Sequence, residues 1–137
     1  MKTLRFAVSV YIIVMLLSAC GGAASDQPQL VGTNWELTAI NGNPPIEGTQ
    51  PTLQFENGQA SGNASCNSFG GEFEVQGDKI GFGALVQTEM FCMEPEGVMD
   101  QESTYLGMLG NAVTFEVGGG VLTIVTGPGE SLTFERQ

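Results

Sequence analysis

The feature that most constrains this chain is its punctuation. From residue 33 onward, every run of alternating apolar and polar residues is cut short by Gly, Asn or Pro. Trp35, Leu37 and Ala39 alternate with polar neighbours until Asn41-Gly42-Asn43-Pro44-Pro45 stops them. Leu53 and Phe55 alternate with Gln54 and Glu56, and Asn57-Gly58, a strong hairpin signal, follows at once. Phe69, Gly71, Phe73 and Val75 form the next inward face, Gln76-Gly77-Asp78 turns the chain, and Ile80 and Phe82 continue. Val113, Phe115 and Val117 run into Gly118-Gly119-Gly120, then Val121 to Thr126, then Gly127-Pro128-Gly129, then Leu132 and Phe134. No such segment can bury both faces or reach far. The expectation is therefore a mainly β, α+β fold: a compact antiparallel barrel-like sheet of seven or eight short strands.

Two segments depart from this pattern. The strand from Gln59 to Ser65 carries only small apolar residues, which predicts close approach of another backbone or a bulky neighbour. Between Pro95 and Leu109, Val98, Tyr105, Leu106 and Leu109 suit a helical face, so one helix is expected around 95–109. Pro95 suits a first helical turn, Gly110-Asn111 supplies a stop, and Glu94, Glu96, Asp100 and Glu102 suit the positive end of the helix dipole. Met90, Met93, Met99 and Met108 flank the element. They are expected to fill core gaps, with an adaptable methionine surface as the alternative.

Residues 1–30 follow another logic. Lys2 and Arg5 precede an apolar run from Phe6 to Leu17 interrupted only by Ser9. That run is too short for a spanning helix, which needs roughly 20 residues, and suits a secretory signal over residues 1–19. Leu17-Ser18-Ala19-Cys20 has the form of a bacterial lipobox, so cleavage after Ala19 and lipidation of Cys20 are expected. Residues 20–30 then read as a lipidated flexible tether, and 31–137 as one domain. The partner implied is the membrane, reached through an N-terminal lipid. The location implied is the cell envelope: an outer membrane if the cell has one, otherwise the outer face of the plasma membrane.

Processing changes the charge balance. Residues 20–137 keep Lys79 and Arg136 against fifteen acids, a net charge of −13. Nucleic acid is repelled by such a surface and is excluded as a partner. Solubility is the plainest reading of the acidity; attraction of cations or of a basic partner, and a salt-adapted proteome, stay open beside it.

Candidate chemistry is sparse. The chain has no histidine, hence no imidazole ligand and no Ser-His-Asp or Cys-His arrangement. With Cys20 lipidated, Cys66 and Cys92 remain, and an even pair in an exported chain reads as a disulfide. Such a bridge closes a loop of about 27 residues, for which chain entropy gives roughly 3–4 kcal/mol. A redox or nucleophilic thiol is the alternative, without a base to activate it. Glu94, Glu96, Asp100 and Glu102 are the densest acidic group, but lack the spacing and glycine of a dedicated calcium loop. No catalytic, metal or cofactor residues are assigned.

An ordered set of motifs resembles the META domain family in its HslJ-like bacterial lipoprotein form. The set comprises Trp35-Glu36-Leu37, Pro51 to Phe55 before Asn57-Gly58, Ser61 to Asn67, Phe69 to Val75, and Thr88-Glu89-Met90-Phe91-Cys92. A helix with Glu102, Tyr105 and Leu106, and closing strands Leu122 to Val125 and Leu132 to Phe134, complete it. The resemblance implies an antiparallel β fold with one helix and a Cys66–Cys92 pair, but no established catalytic residue or cofactor. Family members are associated with envelope stress, drug tolerance, motility or secretion. The expected function is that of a lipid-anchored, non-enzymatic envelope protein binding or stabilising another, unknown envelope protein. A barrel-type carrier of a small apolar ligand is the alternative, suggested by space beside Ala60 to Ala64. Asn67 is expected to serve structure, bonding the tight backbone beside the bridge.

Overall fold

The computed structural model describes residues 30–137. The expected signal residues Leu17, Ser18 and Ala19, the lipidation site Cys20 and most of the tether lie outside the described residues. Leu30, assigned to the end of the tether, is fully buried and belongs to the packed domain.

Among the described residues nine strands form: β1 (Thr33–Ile40), β2 (Thr52–Glu56), β3 (Gln59–Asn63), β4 (Ser68–Gln76), β5 (Lys79–Phe82), β6 (Val86–Gln87), β7 (Thr114–Gly118), β8 (Val121–Gly127) and β9 (Glu130–Arg136). All pair antiparallel. The order β3-β2-β1-β9-β8-β7-β5-β4, with β3 pairing back onto β4, closes an eight-strand barrel. The two-residue β6 adds to β4 beside β5. Closure satisfies edges that an open sheet of such short strands would leave exposed.

Local chemistry sets the register. Asn57 and Gly58 both have positive φ (41° and 81°), the conformation a two-residue primed turn requires, and Glu56 faces Gln59 across it. Alternation then delivers Leu53, Phe55, Phe69, Phe73, Ile80, Leu122, Ile124, Leu132 and Phe134 to one interior. Trp35 joins them fully buried, its indole N–H donating to Thr33 Oγ1 at 2.6 Å. The small-residue strand has the expected cause at one point: a Cβ on Gly62 would lie 2.0 Å from the Thr52 carbonyl oxygen. On the same face of β3, two residues earlier, Ala60 makes room for the aromatic core. Val113 departs from the expected alternation; β7 begins one residue later and Val113 is exposed.

The helix, α1, runs from Val98 to Gly110. Pro95 lies before it in a turn, where its carbonyl accepts from Val98 N–H at 3.1 Å and its bond to Glu94 is cis. Of the acidic residues expected to serve the helix dipole, only Asp100 lies in the first turn. Val98, Glu102, Tyr105 and Leu109, spaced by four, three and four, make the buried face. Tyr105 reaches between Phe69 and Phe134, with ring centroids at 5.8 and 6.2 Å, and donates to the Thr52 carbonyl at 3.0 Å. Among the described residues no helix is long and apolar enough to cross a membrane.

Candidate functional site

Among the described residues, a disulfide and a deeply buried carboxylate meet where α1 crosses the loop between β3 and β4. Cys66 and Cys92 are joined there by a disulfide with Cα atoms 5.9 Å apart, so neither offers a free thiol. Beneath the bridge lies Glu102, 2% exposed and without a basic partner among the described residues. Burying a lone carboxylate is costly unless hydrogen bonds replace its water. Glu102 Oε2 accepts from the backbone N–H groups of Cys66 at 2.9 Å and Asn67 at 2.7 Å, and Oε1 accepts from Asn67 Nδ2 at 2.6 Å. Hydrogen bonds to a charged acceptor are worth about 1.5–3 kcal/mol each, enough to offset much of that cost.

Asn67 is the hinge of this network. Its Oδ1 accepts from Met90 N–H at 2.7 Å and Thr88 Oγ1 at 2.8 Å, while Nδ2 also donates to the Met90 carbonyl at 3.0 Å. The structural role expected for Asn67 is therefore met, with wider reach than the adjacent backbone. Glu102 is different. The sequence grouped it with surface acids at the helix start, whereas it sits inside as an acceptor. Its spacing from Val98 and Tyr105 was the signal for this: the position falls on the apolar stripe of the helix.

The segment held by this network is anchored at alternate residues. Thr88 N–H donates to the Ser68 carbonyl at 3.0 Å, Met90 is bonded by Asn67, and Cys92 is bridged. Glu89 and Phe91, between these anchors, and Met93, just after the last, stand outward. Phe91 is 78% and Met93 81% exposed. Two of the four flanking methionines therefore do not fill core gaps as expected: Met90 and Met93 are exposed, whereas Met99 is half-buried and Met108 buried. Phe91, Met93 and Met99 line a shallow groove of about 370 Å³ against the start of α1.

Among the described residues no three His, Cys, Asp or Glu side chains gather as metal ligands. Glu94 and Glu96 are exposed in the loop before α1, and Asp100 is exposed on its first turn. Glu102 directs its oxygens inward to amides rather than toward them.

An eight-strand antiparallel barrel with one packed helix and a disulfide-pinned loop is the class this arrangement defines. The META domain signature matches residues 28–137, and the chain belongs to the META domain family. Similar solved structures include an NMR structure of a protein from Burkholderia xenovorans, 26% identical, with a TM-score of 0.67 over 82% of this chain and 86% of that one. A second NMR structure is also 26% identical, with a TM-score of 0.65 over 80% and 92% of the two chains. The crystal structure of a duf4847 family protein from Bacteroides vulgatus shares the fold at 12% identity, with a TM-score of 0.63 over 80% and 95%. No curated protein matches the chain significantly.

Proposed function

We infer that this chain is a lipid-anchored, non-enzymatic protein of the cell envelope that binds or stabilises another envelope component. The observation that carries the reading is Leu17-Ser18-Ala19-Cys20 behind a short apolar run, joined to a META domain. The state of the domain's reactive groups supports it. Both cysteines are bridged, and the one deeply buried carboxylate is occupied by three N–H donors. The filled barrel interior, with Phe55 and Phe73 in edge contact at 4.8 Å, lends no support to the carrier alternative. Roles in envelope stress, drug tolerance or secretion fit such a protein and belong to the same proposal.

Labelled palmitate and cell fractionation test it. The protein is expected to incorporate label and sediment with membranes, and Cys20→Ala to abolish both. Deletion is expected to change tolerance to envelope stress, and crosslinking in the native envelope to return a specific partner. An unlabelled protein, or deletion without an envelope phenotype together with no specific crosslink, overturns the reading.

A further inference from the structure

Among the described residues, four of the six exposed large apolar side chains fall within eight consecutive positions: Val86, Met90, Phe91 and Met93. Single exposed apolar residues are ordinary, but a run of them on a fixed backbone is not. This run is fixed. Backbone bonds at Thr88 and Met90 and the bridge at Cys92 hold it, so the rings and thioethers are presented at little ordering cost. Aromatic residues and methionine are the types enriched where proteins meet, and methionine adapts to irregular surfaces.

The surroundings define the occupant. Glu89 and Glu94 flank the apolar residues in sequence, and Glu96 and Asp100 line the groove beside Phe91 and Met93. No basic side chain lines that groove. A second copy of the chain would bring two acidic rims together, and an anionic lipid surface would be repelled in the same way. The complementary partner is a protein segment with an apolar face flanked by Lys or Arg. We propose that the Thr88–Asp100 corner, with Phe91 and Met93 as its apolar anchors and Glu89, Glu94, Glu96 and Asp100 as its rim, is a docking site for a basic, apolar-faced segment of an envelope protein. This rests on the reading of the chain as an envelope-component binder and locates the surface that does the binding.

A photo-crosslinking amino acid at position 91 of the full-length protein, in its native envelope, tests the site. The same probe at Val113, an exposed apolar residue beyond the other end of the 13-residue helix, serves as comparison. Position 91 is expected to crosslink to a protein segment in which Lys or Arg flanks apolar residues. The yield is expected to fall about tenfold when Glu89, Glu94, Glu96 and Asp100 are changed together to their amides, and comparably with Met93→Ser. Non-reducing gel mobility confirms the Cys66–Cys92 bridge in every variant. Where the position-91 variant does not form it, position 93 carries the probe. Crosslinks from position 91 to lipid, to a second copy or to an acidic segment overturn the proposal, as does a yield indifferent to the amide changes. A partner captured only from position 113 overturns the docking site and leaves the envelope-binding reading standing. No crosslink from either position overturns the docking site, and together with deletion lacking an envelope phenotype it overturns the envelope-binding reading as well.

Discussion

On one side of the Cys66–Cys92 bridge a carboxylate is 2% exposed; on the other a phenyl ring is 78% exposed. Glu102 and Phe91 thus exchange the places that polarity assigns them, and Asn67 connects the two, bonding Glu102 through its backbone N–H and Nδ2 and Met90 through Oδ1 and Nδ2. The lesson is that the buried polar network and the exposed apolar segment are one device. The charge belongs to the half that must not move, and the apolar surface to the half that is held out.

Removing Glu102 breaks the comparison most severely. Glu102→Ala strands the N–H groups of Cys66 and Asn67 and the Asn67 amide in a buried site, where each unpaired donor costs about 1–3 kcal/mol. An overall loss of roughly 3–5 kcal/mol is expected in urea unfolding, with Glu102→Gln falling well short of it. A loss below ~1 kcal/mol for the alanine variant would show that the network is ornamental.

The double change Cys66→Ser and Cys92→Ser comes next. Chain entropy for a separation of 26 residues predicts a loss of about 3.5 kcal/mol. With Asn67 still bonding Met90, amide exchange at Met90 is expected to stay slow relative to that at Phe91. Equal rates at the two amides would make the bridge, rather than Asn67, the holder of the segment.

Tyr105 supplies a smaller, pH-dependent test within the buried half. Burial pushes its phenol well above the ordinary value near 10. Above pH ~10 the unfolded chain releases this proton while the folded chain keeps it, so stability falls as pH rises past that point and is unaffected by it below. Tyr105→Phe loses the bond to the Thr52 carbonyl, about 1 kcal/mol at neutral pH, and also loses this alkaline slope. Urea midpoints at pH 7 and above pH 10 measure both effects.

Phe91→Ser and Met93→Ser stand at the bottom of the series. Their exposed side chains contribute to no core, and each change is expected to shift stability by no more than ~0.5 kcal/mol. A shift above ~2 kcal/mol would mean that the ring packs on its own domain and is no free surface.

Much of the barrel was legible because strand period, turn chemistry and burial all speak locally. Asn57-Gly58 announced its hairpin, and Phe69 to Val75 announced which face points in. The pairing of Cys66 with Cys92 followed from counting, and eight strands close the ring where seven or eight were expected. Glu102 was misjudged because composition at a helix start outweighed periodicity along it. Its partners lie 35 and 36 positions away, and no local pattern encodes them. Met90 and Met93 were misjudged for the opposite reason: apolar character is a local cue for burial, and only the fixed path of the loop overrides it.

The seam of the barrel has a consequence for when the molecule comes into being. β1 pairs on one side with β9, Leu37 facing Phe134 and Trp35 facing Arg136. A chain threaded N-terminus first through a translocation pore delivers its opening strand long before its mate. Until residues 130–136 have passed, β1 lacks one neighbour and the ring stays open. Contacts between such distant parts of a chain form slowly. On the proposal that the chain is exported, that delay keeps it threadable on one side of the membrane until it can become rigid on the other.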